Sequence, residues 1–217
     1  MAFTAAHLRA ARRHLRKHDP IMRAMINQVG PCTVRRQRDR FQMLVRSIIS
    51  QQISVGAARS IRNRLEQLVA PERITPESLL KFKTARLRSA GISPQKAAYL
   101  LDLANKIEQG TLVLRTIGRR SDEDVIKELT QVKGIGHWTA QMFLMFALGR
   151  LDIFPADDLG IRIAIRDHYD LKELPGKKLS HEIAQPWRPY ATIASWYLWR
   201  SLDLQRQRKA GKTGSST

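Results

Sequence analysis

The chain has 217 residues, enough for one large domain or two small lobes, and its 43% hydrophobic and 26% charged residues are typical of a globular protein. Its 38 Lys and Arg residues outnumber 19 Asp and Glu, and the net charge of +19 favours a polyanionic partner such as nucleic acid. The single cysteine, Cys32, excludes disulfides and cysteine-ligated metal clusters within one chain, and no run of about eighteen apolar residues predicts a membrane span.

The positive charge is concentrated at the N-terminal end. Residues 1–50 carry eleven Arg and Lys against two Asp. A highly solvated surface, or attraction to an acidic membrane, would also explain such an excess. Charge alone therefore favours nucleic acid without deciding for it.

The hydrophobic pattern predicts helices along almost the whole chain. Three pairs of a capping residue and a proline mark helix starts: Asp19-Pro20, Thr75-Pro76 and Ser93-Pro94. Gly30 and Gly110 end the first and the last of these helices, and Ser121 caps a further helix to about residue 131. Apolar residues at helical spacing form stripes within 41–49 and 57–68. No segment alternates between apolar and polar residues, so the predicted fold class is all-α.

A short glycine turn, Val132-Lys133-Gly134-Ile135-Gly136, lies between two predicted helices. Glycines allow positive φ and close approach of another backbone, and the turn opens into a helix from about His137 to Leu148. The first amides of a helix lack partners and lie at the positive end of its dipole, so such a turn can bind a DNA phosphate. Many ordinary helix–helix connections also use glycine, which is the alternative interpretation.

Longer segments resemble one known family. The hairpin segment LTQVKGIGHWTAQMFLMF, followed by FPADDLGI, resembles the helix-hairpin-helix and Gly/Pro…Asp signature of the DNA glycosylase superfamily. The likeness extends upstream through FQMLVRSIISQQISVGAARSI and AGISPQKAAYLLDLA, and downstream through QPWRPYATIASWYLW. Within the superfamily the chain is most similar to the alkylation branch, the 3-methyladenine DNA glycosylase II type.

The resemblance implies a domain organisation. We expect one glycosylase domain over residues 1–206, with lobe A at about 1–52 plus 152–206 and lobe B at about 53–151. The helix-hairpin-helix motif and the active site would lie in the cleft between the lobes. Residues 207–217 are rich in Lys, Gly, Ser and Thr and are predicted to be a disordered basic tail.

The resemblance also implies a function. The expected enzyme flips alkylated bases such as 3-methyladenine and 7-methylguanine out of double-stranded DNA and hydrolyses their N-glycosidic bond, leaving an abasic site. It would act as a monomer, without a cofactor and without a membrane. Its location would be the cytoplasm, at the nucleoid, of a bacterium or archaeon, or the nucleus of a eukaryote.

Two adjacent carboxylates follow Phe154-Pro155-Ala156. From the residues alone, either is an ordinary helix cap. The resemblance places the catalytic aspartate at Asp158, whose anion would stabilise positive charge on the sugar, and leaves Asp157 as the cap or a supporting residue. Relatives that also nick the strand carry a nucleophilic lysine two residues after the hairpin, where this chain has Trp138, so water is the expected nucleophile.

The remaining expected site residues also follow from the resemblance. The base pocket would contain Trp138, Trp196 and Met142. The indoles of the two tryptophans suit cationic alkylated bases, although aromatic residues on helices are otherwise usually part of the core. The expected DNA-binding residues are Lys133, Gly134, Ile135, Gly136, Thr139, Gln51, Gln52 and Ser54. Gln51 and Gln52 would fill the gap left by the flipped base, although some relatives carry a bulkier apolar residue at position 52. A monovalent ion would bind the carbonyls of Thr130, Val132 and Ile135.

Three rival functions remain at this point. A helix-hairpin-helix DNA-binding module without activity explains the charge and the hairpin, but not the aspartate and the tryptophans. An enzyme for oxidised or mismatched bases is disfavoured in its common forms by the absent lysine and the absent cysteine cluster. An RNA-binding protein lacks its usual aromatic signature.

Overall fold

The computed structural model describes residues 3–213, and the side chains of residues 3–208. In this part of the chain the secondary structure is helical without any strand, as the sequence predicts. The α-helices are α1 Ala5–His18, α2 Pro20–Val29, α3 Arg40–Ser50, α4 Val55–Val69, α5 Pro76–Leu80, α6 Thr84–Arg88, α7 Pro94–Glu108, α8 Asp122–Leu129, α9 His137–Phe143, α10 Leu159–His168, α11 Lys177–Ala184 and α12 Ala191–Thr213. No described helix is both long and apolar enough to cross a bilayer.

The predicted helix starts are confirmed by their capping bonds. The side chains of Asp19, Thr75, Ser93 and Ser121 each accept a hydrogen bond from a backbone amide in the first turn that follows. Gly30 ends α2 at φ 86°, a left-handed conformation that suits glycine. The helix after the glycine turn also forms, although α9 continues beyond Phe143 as a π-helical turn, Leu144–Leu148.

The chain divides into two compact units. The first unit runs to Arg36 and resumes at Leu148, and the second unit is Gln37–Ala147. Lobe B was expected to begin near residue 53, but α3 lies in the second unit because its apolar face packs on α4, α7 and α9. The second unit is therefore one continuous segment of the sequence, and it is inserted in the sequence between the two segments that form the first unit.

The first unit is built around α12, which packs against α2 and α10. Asp19 is buried between these elements, and its carboxylate accepts hydrogen bonds from the backbone amides of Ile21 and Met22, from the Trp187 indole at 2.8 Å and from the Tyr169 hydroxyl. A buried carboxylate needs several such donors. Burial, with the Asp19 carboxylate, raises the pKa of the Tyr169 phenol. This cluster joins the start of α2 to the end of α10.

Part of the expected disordered tail is helical. Helix α12 continues through Thr213, so residues 207–213 are helical rather than irregular. Only the last four positions of the expected tail, 214–217, lie outside the described residues. The helix extends this far because no proline or capping signal interrupts it before Gly211, and a single glycine does not end a helix.

Candidate active site and nucleic-acid interface

Asp158 is held rigidly at the start of α10. It is the N-cap residue of that helix, and its Oδ1 accepts a hydrogen bond from the backbone amide of Ile161 at 2.8 Å. The same oxygen accepts a second hydrogen bond, 2.9 Å long, from the indole nitrogen of Trp199 on α12. Both donors fix the orientation of this carboxylate at the positive end of the helix dipole.

Gly160 leaves the space that this arrangement needs. A Cβ atom at Gly160 would lie 3.1 Å from Oδ1 of Asp158 and 3.4 Å from Cδ1 of Trp199. The contact of 3.1 Å would crowd the carboxylate, whereas the contact of 3.4 Å is at the edge of ordinary van der Waals distance. The glycine at position 160 is thus explained by packing around the carboxylate.

The expected division of roles between the two aspartates is wrong in one respect. Asp158, not Asp157, caps α10, so the expected catalytic residue is also the cap. Asp157 is exposed and forms an ion pair with Lys177 at 2.8 Å, because it precedes the cap and its side chain lies over the start of α11.

The four tryptophans differ in exposure. Trp187 is fully buried and belongs to the core of the first unit. Trp196 is half-buried, with its ring edge-to-face on Tyr197 at 5.0 Å between centroids. Trp138, in the second unit, is 43% exposed, which is unusual for so large an apolar side chain. Trp199, which donates to Asp158, is the residue of this site that the sequence analysis did not name.

Met142 lies one turn after Trp138 on α9 and is buried at 7% exposure. The two residues share a helix face because they are four positions apart. Met142 therefore presents little surface of its own.

The glycine turn requires its first glycine. Gly134 has φ +80°, and a Cβ atom there would lie 2.0 Å from Cδ2 of Tyr99. Two amides of the turn already have partners: the Lys133 amide donates to Oδ2 of Asp102 at 2.9 Å, and the Ile135 amide donates to the Val132 carbonyl at 3.0 Å. These bonds fix the shape of the turn, and they remove two of the expected phosphate donors.

The start of α9 has backbone amides without hydrogen-bond partners in the part of the chain that the structure describes. Gly136 is its N-cap residue, and no side chain caps this helix. Among the described residues, the amides of Gly136, His137 and Thr139 donate to no protein oxygen. Adjacent unpaired amides at a helix start suit an oxyanion such as phosphate.

The turn between α3 and α4 separates the roles of its two glutamines. The side-chain amide of Gln51 donates to the Gly134 carbonyl at 2.8 Å, which ties this turn to the glycine turn. Gln52 is exposed and has φ 56°, a left-handed conformation that is uncommon outside glycine. Ser54 caps α4 through its hydroxyl, which accepts from the Ala57 amide at 3.2 Å. Gln52 is therefore the tip of the turn.

A lysine from a third helix secures this turn. The Lys96 ammonium on α7 donates to the carbonyls of Ile49 at 2.8 Å and Gln51 at 2.7 Å, at the end of α3. Carbonyls at a helix end lack partners within the helix, and a cation there is favourable. Desolvation lowers the pKa of Lys96.

The expected ion site consists of three backbone carbonyl oxygens. The Val132 carbonyl accepts from the Ile135 amide but keeps a second lone pair, and the carbonyls of Thr130 and Ile135 accept no hydrogen bond among the described residues. Neutral carbonyl oxygens suit a hard cation such as Na⁺ or K⁺. In the described part of the chain no group of three His, Cys, Asp or Glu residues is placed to hold a metal. The carbonyl set fits a monovalent ion.

Comparison with known families agrees with this geometry. Residues 45–189 match the HhH-GPD superfamily base excision DNA repair protein model. The match covers more than half of the chain and includes both the glycine turn and Asp158. The chain belongs to the HhH-GPD superfamily of base excision DNA repair proteins.

Similar proteins lie in the alkylation branch. DNA-3-methyladenine glycosylase 1 of Schizosaccharomyces pombe is 33% identical over 196 residues, which are 88% of this chain and 86% of that protein. The putative DNA-3-methyladenine glycosylase YfjP of Bacillus subtilis is 34% identical over 169 residues. These residues make up 75% of this chain and 59% of the length of YfjP. A solved structure of the S. pombe 3-methyladenine DNA glycosylase in complex with abasic DNA superposes with a TM-score of 0.82 at 32% identity, covering 89% of this chain and 97% of that one.

Proposed function

We propose that the protein is a DNA glycosylase of base excision repair, which hydrolyses the N-glycosidic bond of alkylated bases in duplex DNA and leaves an abasic site. The observation that carries this proposal is the Asp158 carboxylate, held by Ile161 and Trp199 at the start of α10. The similarity to 3-methyladenine DNA glycosylases over most of the chain supports the same activity. The enzyme acts where the DNA is, at the nucleoid or in the nucleus.

The carboxylate acts on the sugar. As the bond between C1′ and the base nitrogen breaks, its electron pair leaves with the base and positive charge grows on the deoxyribose. Asp158 stabilises this cation and orients or deprotonates the water that adds to C1′. The products are the free base and an abasic sugar with a hydroxyl at C1′. Trp138 stands where strand-cleaving relatives carry a lysine, so the strand stays intact.

The indoles of Trp138 and Trp196 bind the flipped base, with Met142 as support. N-alkylated purines such as 3-methyladenine and 7-methylguanine carry positive charge, and an indole face attracts a cation by about 0.5 to 2 kcal/mol. That charge also weakens the glycosidic bond, so the enzyme needs no acid to protonate the leaving base. The 43% exposure of Trp138 supports a role as a contact surface rather than as core.

Residues of the second unit bind the DNA backbone and fill the gap that the flipped base leaves. The amides of Gly136 and Thr139 bind a phosphate, Gly134 lets the turn approach it, and the Lys133 side chain adds charge. Gln52 fills the space that the flipped base leaves, since it is the exposed tip of its turn. Gln51 and Ser54 hold that turn in shape.

Base release from methylated duplex DNA tests the proposal, with Asp158→Asn as the decisive variant and Asp157→Asn as its control. The wild type and Asp157→Asn are expected to release 3-methyladenine or 7-methylguanine and to leave abasic strands that break only in alkali. Asp158→Asn should lose at least a hundredfold in rate while still binding abasic DNA, because the cation loses its counter-charge. Wild-type protein that binds DNA but releases no alkylated base would overturn the assignment.

A further inference from the structure

A second basic site lies in the second unit, beside the turn that carries Gln52. The facing sides of α3 and α4 enclose a cavity of about 410 Å³. Its rim carries three arginines, Arg46, Arg59 and Arg62, and none of its described lining residues is acidic. The volume lies within the range of about 300 to 1,000 Å³ that is usual for ligand pockets.

These arginines differ from others on the same two helices. Arg40 on α3 donates to the carbonyls of Leu114 and Arg115, and Arg64 on α4 donates to the carbonyl of Ala90 and the hydroxyl of Ser60. Those two guanidinium groups serve the fold, because they satisfy backbone groups and a hydroxyl of the same unit.

The arginines of the cavity have weak partners or none among the described residues. Arg46 donates to Oε1 of Gln37 at 3.4 Å, a long bond. The Nε atom of Arg62 is buried without a hydrogen bond, and its contact with Oε1 of Glu66 is 3.5 Å long. A buried donor without a partner is costly, so this group calls for an acceptor.

The rest of the cavity is apolar. Met43 and Ile49 are buried beneath it, Phe146 is half-buried, and Val55 is 79% exposed at its edge. The Gln37 amide donates to the Phe146 carbonyl at 2.8 Å and closes the cavity on that side. A ligand that suits this lining has an anionic end for the arginines and a less polar part for Val55 and Phe146.

We propose that this cavity binds one nucleotide of the duplex, with a backbone phosphate on the arginines and its deoxyribose on Val55 and Phe146. Ser50 and Val55, which stand on either side of the turn that carries Gln52, both line the cavity. A DNA strand next to the gap filled by Gln52 would therefore lie across the opening of the cavity. The site would clamp the backbone beside the lesion, separately from the phosphate held at α9, and it rests on the proposed function only for the place of Gln52.

The salt dependence of DNA binding tests the arginines. Affinity for a duplex with a stable abasic-site analogue is measured against salt for the wild type, Arg59→Ala and Arg62→Ala, with Arg88→Ala as control. Arg88 is an exposed arginine of α6 in the same unit. Each cavity variant should reduce the slope of log affinity against log salt by about one, since one phosphate contact is lost, while the control keeps the wild-type slope. Equal slopes in all four proteins would overturn the proposal.

A second variant tests the cavity without removing a packed side chain. Val55→Asp places a carboxylate at its edge, and Val113→Asp does the same at a valine of the same unit that is 41% exposed. Val55→Asp should weaken duplex binding at least tenfold and Val113→Asp less than threefold, while circular dichroism and thermal melting confirm that both are folded. Equal losses would contradict the site.

Neutral methylphosphonate linkages, placed one at a time near the lesion, identify the phosphate. One position should weaken the wild type but leave Arg59→Ala unaffected. Binding of free dAMP to the cavity, with duplex binding unchanged in both arginine variants, would replace the proposed occupant by a free nucleotide and overturn it. Base release by the wild type is measured in parallel. If the wild type releases no base but the salt slopes differ as expected, only the proposed function is refuted. If the wild type releases the base but the slopes of all four proteins are equal, only this site is refuted.

Discussion

At the scale of single residues, the proposed catalytic carboxylate depends on a bond that joins distant parts of the sequence. Oδ1 of Asp158 accepts from the indole of Trp199, 41 residues further along the chain, and Gly160 leaves room for both groups. The indole nitrogen is a donor only, so it can hold the carboxylate oxygen in one orientation. Trp199 is thus a positioning residue for Asp158.

Trp199→Phe tests this role, because it removes the N–H donor and keeps most of the apolar bulk. A hydrogen bond to a charged group contributes about 1.5 to 3 kcal/mol, so single-turnover base release should fall by roughly 10- to 100-fold. Affinity for abasic DNA should stay within a factor of three. The measurement is the rate at saturating enzyme, compared with the binding constant.

Tyr197→Phe is the matched control on the same helix. It removes a hydroxyl that donates to the Gly30 carbonyl at 3.0 Å, away from Asp158. An equal loss of rate in both variants, with equal changes in melting temperature, would show that the Trp199 bond acts only through the stability of α12.

The sequence predicts Asp158 as the catalytic residue but does not predict its hydrogen-bond partner, for a physical reason. The aspartate stands in a local segment, with the break at Pro155 before it and Leu159-Gly160 after it, and local segments are visible in sequence. The position of an indole on α12 depends on how α10 and α12 pack. Helical periodicity reports which residues face a core, but not which polar atoms meet across it.

At the scale of elements, the turn after α3 is held by bonds from outside it. Lys96 on α7 satisfies the carbonyls of Ile49 and Gln51, and the Gln51 side chain reaches Gly134. Gln52 can keep its left-handed backbone because its neighbours are fixed in this way. These bonds link the turn after α3 to the glycine turn, and we expect the two turns to act as one DNA-binding element.

Lys96→Met should loosen that element. The variant keeps an unbranched apolar stem but leaves two carbonyls at the end of α3 without the ammonium, so stability should fall by about 1 to 2 kcal/mol. Affinity for abasic DNA should fall several-fold, because the tip at Gln52 becomes less ordered. The two measurements are chemical denaturation and a binding titration.

Lys106→Met serves as the comparison, since Lys106 lies on the same helix and its ammonium makes no hydrogen bond among the described residues. It removes the same charge from the unit. If both variants weakened DNA binding equally, loss of charge rather than loss of the turn would be the cause.

The elements show which parts of a fold are readable from sequence. The caps at Asp19, Thr75 and Ser93 bond within their own first turn, so three residues of sequence suffice to predict them. The tie between the Lys133 amide and Asp102 spans 31 residues, and it removes a phosphate donor that the motif alone would have counted.

At the scale of the whole molecule, the residues proposed to contact DNA and the proposed catalytic carboxylate belong to different units. Gln52, Gly134 and Gly136 lie in the continuous unit Gln37–Ala147, whereas Asp158 and Trp199 lie in the unit made from both ends of the chain. The ends of the continuous unit are close together, because the Gln37 amide bonds to the Phe146 carbonyl. A unit with adjacent ends and its own core is the kind that folds alone.

Residues 37–147 expressed alone should therefore stay helical and bind duplex DNA, without releasing any base. Circular dichroism and a binding titration check the first two points, and the methylated-DNA assay checks the third. The same fragment with Gly134→Ala is the control, and it should lose affinity because a Cβ atom there meets Tyr99. An unfolded fragment would contradict the independence of this unit.

The order of the units along the chain has a consequence for synthesis. A ribosome delivers residues 37–147 before it reaches α12, so the continuous unit can fold while the unit that needs both chain ends is still incomplete. Asp158 emerges before Trp199, and its carboxylate has no indole to hold it until α12 has been synthesised. We therefore expect a nascent chain that lacks α12 to bind DNA before it can release a base.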